Sequence, residues 1–304
     1  MADQRTRLHP DGPELSRIVW GAWQVLMQPE LGTPAGLAEM IVACLDHGIT
    51  SFDHADVYGS FTVEARFGEA LKLWGGARHS IEIISKCGNA TLSPQRPETR
   101  VKHYNTSAAH IAASVDRSLA NFGTDYLDLL LIHRPDPFMD ADDTAAGLEA
   151  VVRAGKVRAV GVSNFTPQQV SLLQSRLSMP LVTNQIQFSL LHLAPLDDGT
   201  LDQAQERRMA PMLWSPLAKG RLFREDSPVA NRVREALGPM AARYGVEQGA
   251  LALAWLMAHP ARPVPVIGTS SVARIASLAK AEGLHLDRQD CFTLLEAARG
   301  APAP

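Results

Sequence analysis

The sequence predicts an α/β protein, a single-domain (β/α)8 TIM barrel spanning residues 1–304. Two observations point there. Short apolar segments of strand character alternate with amphipathic helical segments eight times, and eight βα units are what a barrel needs to close. No composition break or Pro/Ser-rich linker divides the chain, which argues against two doubly wound domains. An open sheet stays as the alternative, because periodicity does not reveal closure.

In chain order, Leu15-Ser-Arg-Ile-Val-Trp-Gly21 reads as a first strand closing on a glycine, followed by a loop with Trp23, Gln24 and Pro29. A helix over about 34–47 follows from the apolar spacing of Leu37, Met40, Ile41, Cys44 and Leu45, with Gly48 as its stop. Ile49-Thr-Ser-Phe-Asp53 is the second strand, and a helix over about 63–74 is stopped by Gly75-Gly76. The third strand runs from Ile81 to Ser85. Residues 87–106, rich in Pro, Asn and Thr, form a long loop, and loops of that length inside a compact domain are commonly lids or binding loops. Ser107 caps a helix that runs to Asn121, with Gly123 past its end. Leu127 to Ile132 is apolar on both faces, as an interior parallel strand is. The pattern continues with a helix over about 141–154, strand 157–162, a helix from Pro167, strand 181–185, a helix over about 197–207 and strand 211–214. Two helices over about 229–244 and 247–258, strand 264–267, a helix from Val272 and a last helix near 287–299 complete it.

Bulk composition narrows the function. With 46% hydrophobic residues, 20% charged residues and a net charge of −3, the chain can bury a large core and offers no electrostatic footprint for nucleic acid. The three cysteines, Cys44, Cys87 and Cys291, form no Cys-x-x-Cys, so neither a disulfide framework nor a zinc site is expected. No segment approaches the ~18 apolar residues of a membrane span, and Met1-Ala-Asp-Gln-Arg-Thr-Arg lacks the apolar stretch of a signal peptide. A cytoplasmic protein without membrane contact is expected. The ten histidines contain no His-x-x-x-His pair with a nearby acidic ligand, so no metal is predicted.

The chemistry sits at strand ends. In a barrel these converge on one face, which brings Asp53, Lys86 and His133 together at the ends of the second, third and fourth strands, with Tyr58 in the loop just past Asp53. Each alone also reads as ordinary turn or surface chemistry; four gathered at or just past three successive strand ends are harder to dismiss. A phenol of reference pKa ~10 beside an ammonium is pulled toward the working pH. Asp53 would hold Lys86 charged, and a histidine opposite could polarise a carbonyl oxygen. Asp56 reads as a loop carboxylate outside this set.

Several stretches, in order, resemble the aldo-keto reductases: Asp53-His-Ala-Asp-Val-Tyr58-Gly, Ile84-Ser-Lys86, Leu130-Leu-Ile-His133, Gly161-Val-Ser-Asn-Phe165, Asn184-Gln185, Ser215-Pro-Leu217 and Val266-Ile-Gly-Thr269. Ile132-His-Arg-Pro-Asp136-Pro looks most like the bacterial oxidoreductase branch. The resemblance implies a tetrad of Asp53, Tyr58, Lys86 and His133 with Tyr58 as proton donor, acting on a small-molecule carbonyl substrate. It also implies NADP(H). No Gly-x-Gly-x-x-Gly or P-loop is present, so the dinucleotide would lie extended across the barrel mouth. Ser163, Asn164 and Gln185 would bind its carboxamide and Trp214 would stack on the nicotinamide, although Trp214 also reads as a buried strand-end aromatic.

Ser215, Leu217, Gly220 and Arg221 would form the pyrophosphate loop, for which the alternative is an ordinary βα turn. Gly268 and Ser270 would lead into a helix N-terminus that favours an anion, with Arg274 on the 2′-phosphate. Lys280 departs from the acidic contact that relatives commonly offer the adenine, which weakens the implied preference for NADP(H) over NAD(H). Trp23 resembles a substrate-pocket aromatic, and core packing is its alternative. The short tail after the last barrel helix implies an open site for varied aldehydes and ketones, covered chiefly by residues 87–106, in a monomer. Two rivals stand beside the reductase: a cofactor-binding redox-sensing subunit with slow turnover, and a barrel aldolase using Lys86 as a Schiff-base amine.

Overall fold

The Val-, Ile- and Leu-rich segments pair side by side in parallel until the last meets the first. In the computed structural model, which describes residues 5–302, the strands are β1 (Val19–Gly21), β2 (Ser51–Asp53), β3 (Glu82–Cys87), β4 (Leu129–Ile132), β5 (Val160–Ser163), β6 (Leu181–Gln187), β7 (Met212–Trp214) and β8 (Val264–Ile267). They form a closed barrel in chain order. The seam sets Val266 against Val19 and Ile267 against Trp20, and closure excludes the open sheet. Of the predicted span 1–304, residues 1–4 and 303–304 lie outside the described ones; they include the start of the stretch read for a signal peptide.

Strand alternation decides which side chains fill the barrel. In β4, Leu129 and Leu131 join Val19, Ile84, Val182, Met212, Val264 and Val266 inside it, while Leu130 and Ile132 face the surrounding helices. This two-sided burial is why the strand reads as a continuous apolar run. At Gly161 in β5 a Cβ would lie 2.6 Å from the Thr183 carbonyl oxygen and 2.8 Å from Leu131, so the approach of β5 to β6 depends on glycine.

The predicted first strand is corrected. Glu14–Ser16 instead pairs antiparallel with Arg5–Arg7 in a hairpin, and β1 starts at Val19. Arg5 anchors the hairpin by donating to Glu82 Oε1 at 2.7 Å and to the Glu14 carbonyl at 2.8 Å. Leu8 and Leu15 are fully buried against the barrel interior. Apolar spacing alone shows that these leucines are buried and does not show that the chain turns between Leu15 and Val19.

The helices largely sit where the sequence places them. Ser107 caps Ala108–Phe122 by accepting from the His110 amide, and Gly123 closes it at φ 66°. Residues 87–106 are not featureless: Asn89–Ala90 pairs with His103–Tyr104. The rest of this segment leans on the loop after β2, with the Arg96 guanidinium 4.8 Å from the Phe61 ring centroid and Ser93 Oγ donating to the Ser60 carbonyl at 3.3 Å. The last helix, Arg288–Arg299, packs along the barrel's flank. There Asp290 accepts from Tyr244 at 2.6 Å and the Cys291 carbonyl accepts from Trp255 Nε1 at 2.9 Å. Among the described residues no helix is long and apolar enough to cross a membrane, and no three His, Cys, Asp or Glu side chains converge as a metal set.

Candidate active site

Because β2, β3 and β4 are neighbours, their C-terminal ends deliver Asp53, Lys86 and His133 to one mouth. Lys86 is 1% exposed, and each of its three N–H bonds has an acceptor. Nζ donates to Asp53 Oδ2 at 2.6 Å, to the His54 carbonyl at 2.6 Å and to the Tyr58 hydroxyl oxygen at 3.3 Å. A phenol that accepts from an ammonium has its own proton free to give elsewhere. The His133 ring stands edge-on to Tyr58 with centroids 5.9 Å apart.

Electrostatics fix the resting proton positions. Burial alone would lower the Lys86 pKa, but Asp53 and Tyr58 outweigh it and raise it, so Lys86 stays an ammonium. Burial raises the Tyr58 pKa above its usual value, with Lys86 pulling the other way. Lys86 thus acts on the phenol in the expected direction, but burial outweighs it, the net shift is upward, and Tyr58 keeps its proton at rest. His133 is held well below its ordinary pKa by burial, then by Lys86 and Arg134, which makes it a neutral imidazole. A charged, ion-paired Lys86 with no free hydrogen-bonding capacity is poorly suited to attack a carbonyl, which counts against the aldolase reading.

Asp56 lies in the loop as read, yet it is buried, and its Oδ1 has no hydrogen-bond partner. Burial and then the Glu64 charge raise its pKa from 3.8 to about 8. A carboxyl whose folded pKa is raised favours folding most below its unfolded pKa, and that stability is lost as pH rises through the folded value. The Asp56 contribution to stability is thus expected to fall between about pH 4 and pH 8 by on the order of 1 kcal/mol per pH unit. Asp56→Asn should flatten this loss, as followed by melting temperature from pH 5 to pH 9; parallel profiles for the two proteins would reject the assignment.

The predicted carboxamide set meets the tetrad directly. Gln185 Nε2 donates to Asp53 Oδ1 at 2.8 Å, which leaves its Oε1 to accept. Ser163 Oγ donates to the Gln185 carbonyl at 2.9 Å, and Asn164 Nδ2 donates to Ser163 Oγ at 2.7 Å. Trp214 Nε1 donates to Asn164 Oδ1 at 2.8 Å, fixing the indole plane at the end of β7. One connected run of hydrogen bonds thus joins Trp214 to Tyr58 through Asn164, Ser163, Gln185, Asp53 and Lys86. The acceptor on Gln185 and the part-exposed indole suit a nicotinamide.

Further along the mouth, Ser215, Ala218, Lys219 and Gly220 all take left-handed φ, 52°, 51°, 57° and 79°. This folds the loop that holds part-buried Leu217 into a tight turn. Arg221 does not stand free, since it pairs with Glu225. Gly268 has open space, with nothing nearer than 4.0 Å to a Cβ position. Beyond Ser270, the helix Val272–Ala279 starts at Ser271 without a side-chain cap, so its first amides are open to an anion. Arg274 is exposed on that first turn. Trp23 is 44% exposed with Lys219 Nζ 4.5 Å from its ring centroid; it stands at the mouth and is not a core residue.

Two cations escape sequence reasoning, Lys219 and Arg134, whose guanidinium lies 5.7 Å from the Trp214 ring centroid. The only signal for either is a basic residue next to a strand end, which is too common to be read.

A closed parallel barrel with a lysine-backed tyrosine at its C-terminal mouth defines a class, the barrel oxidoreductases. Within it, the chain belongs to the aldo/keto reductase family, whose sequence pattern matches residues 17–298. It is 48% identical over 290 residues to a 6-dehydroglucose reductase of Agrobacterium fabrum, covering 95% of this chain and 96% of that one. It is 45% identical over 304 residues to oxidoreductase YdhF of Escherichia coli, covering 99% of each. Another 6-dehydroglucose reductase, of Novosphingobium aromaticivorans, is 38% identical over 305 residues, covering 98% of this chain and 96% of that one. The crystal structure of a thermostable aldo-keto reductase, Tm1743, in complex with the inhibitor epalrestat shares the fold with a TM-score of 0.82 at 24% identity, over 96% of this chain and 99% of that one.

Proposed function

We propose that this chain is an NADP(H)-dependent carbonyl reductase, active as a cytoplasmic monomer, that turns aldehydes or ketones into alcohols with Tyr58 as the general acid. The observation that carries the reading is the bonding of Lys86 to both Asp53 and the Tyr58 oxygen. A bound NADPH would supply the hydride. Neutral His133 orients the carbonyl oxygen, and Tyr58 gives that oxygen a proton as negative charge develops on it. The phenolate left behind is stabilised by Lys86, whose charge Asp53 secures. Burial keeps the proton on Tyr58 until then, and each pKa unit by which Lys86 offsets that burial is worth about 1.4 kcal/mol.

Gln185, Ser163 and Asn164 would hold the carboxamide and Trp214 the ring face. Leu217 and Gly220 would shape the pyrophosphate turn, while Arg221 is engaged by Glu225. Gly268, Ser270 and Arg274 would meet the 2′-phosphate, and Trp23 would border the substrate. Two relatives named for 6-dehydroglucose support a polyhydroxylated aldehyde as one substrate, and the open mouth supports smaller carbonyls as well.

The test is a panel of a sugar dialdehyde, an aromatic aldehyde and a dicarbonyl, each run with NADPH and NADH in parallel. Steady oxidation of NADPH is expected. Tight NADPH binding without turnover of any substrate would favour the redox-sensing alternative, and a borohydride-trapped adduct on Lys86 would sink the reductase reading. In the same panel Arg274→Ala should raise the KM for NADPH about tenfold or more, the scale of one charge-assisted hydrogen bond, and leave that for NADH nearly unchanged. Equal effects on both cofactors would remove Arg274 from the 2′-phosphate.

A further inference from the structure

At the N-terminal end of the barrel, opposite the mouth, a cavity of about 390 Å³ opens between the hairpin and the turns that precede β7 and β8. Arg7, His9, Arg208 and Arg262 line it, and among the described residues no Asp or Glu does. Arg7 is paired with Glu14 at 2.6 Å. Among the described residues, neither Arg208 nor Arg262 has a hydrogen-bonded or ion-paired side chain. His9 Nδ1 accepts from the Asp11 amide at 3.1 Å, which places the ring proton on Nε2 as a donor.

The backbone singles out the same two arginines. Among the described residues other than glycine, Ser60, Phe61, Asn164, Ser215, Ala218 and Lys219 have positive φ in loops at the catalytic mouth. The two others are Arg208, φ 51°, and Arg262, φ 55°, and both border this cavity. The helices Val63–Trp74, Ala108–Phe122, Pro228–Tyr244 and Arg288–Arg299 each end on a left-handed glycine. The helix Thr200–Glu206 is capped by right-handed Arg207 and turns at the next residue, left-handed Arg208, whose amide bonds to the Gln205 carbonyl at 3.1 Å. Complementing the helix dipole does not account for this, because Arg207 already adds a positive charge at that end. Strained backbone gathers where a side chain must be placed, and here it places two solvent-exposed arginines without side-chain partners at the edge of one cavity.

We propose that this cavity binds a tetrahedral oxyanion of the phosphate type, either free phosphate or a phosphate monoester, through Arg208 and Arg262 with His9 as a further donor. Forked guanidinium donors match that geometry. The site is separate from the cofactor mouth and stands whether or not the reductase reading does.

The test is calorimetric titration of the full chain with inorganic phosphate and, separately, with a hexose 6-phosphate. Arg274→Ala is the background, which removes the candidate phosphate contact at the mouth. Saturable binding is expected, and R208G/R262G should weaken it by about tenfold or more while the melting temperature holds or rises, because glycine relieves the left-handed strain. R208Q/R262Q is to repeat the loss of binding, and it serves alone if the glycine protein does not fold. Tighter binding of the ester than of free phosphate would identify the monoester as the source. Affinity unchanged in both double variants, or no binding of either probe in the background protein, would overturn the proposal.

Discussion

Replacing Tyr58 with phenylalanine is expected to lower kcat for carbonyl reduction by about 10²–10⁴-fold, the usual range for a lost general acid, while NADPH still quenches tryptophan fluorescence. The separation follows from geometry. Tyr58 meets Lys86 at 3.3 Å, whereas Trp214 is held by Asn164 and should stack on a cofactor with or without the phenol. His133, neutral under the burial and cationic neighbours that depress its pKa, can still orient the carbonyl but makes a poor proton source. Turnover within a few-fold of wild type would remove Tyr58 as the acid. Loss of quenching together with turnover would point to a collapsed mouth.

Lys86→Met is expected to abolish turnover and also to cost about 3–5 kcal/mol of stability in urea unfolding, because it strands the Asp53 carboxylate in a dry interior. Among the described residues, only Gln185, at 2.8 Å, would remain as a side-chain donor to that carboxylate. The double variant Asp53→Asn/Lys86→Met should regain a substantial part of the stability and none of the activity. A loss below about 1 kcal/mol in Lys86→Met would mean that water reaches the pair, since exposed ion pairs contribute no more than that.

The strand–helix alternation is legible because each element buries one face, and burial writes itself into the sequence as a period. Leu129 to Ile132 is the plainest case. The same logic misplaces the first strand: Leu15 is as buried as any barrel residue, and nothing in its spacing separates a hairpin leucine from a strand leucine. The tetrad is legible as four polar residues at strand ends, and the resemblance supplies their roles. Hidden from view is how they are joined. Gln185 and Asp53 are 132 residues apart, and no local pattern encodes their bond. Glu64 is read only as part of a helix, yet it is buried and accepts from Ser85 at 2.6 Å, Ser118 at 2.9 Å and Asn121 at 3.1 Å. Polar groups between the strand and helix layers leave no periodic trace.

The hairpin that displaced the predicted first strand bears on how the enzyme resets. Leu8 and Leu15 join Val19, Ile84, Leu129 and Leu131 in one aliphatic cluster inside the barrel, which sets an apolar layer between Lys86 and the far end. If Tyr58 is the acid proposed above, the proton it gives up is expected to return from the mouth, where substrate and cofactor would sit. Regaining the acid would then wait on the departure of product.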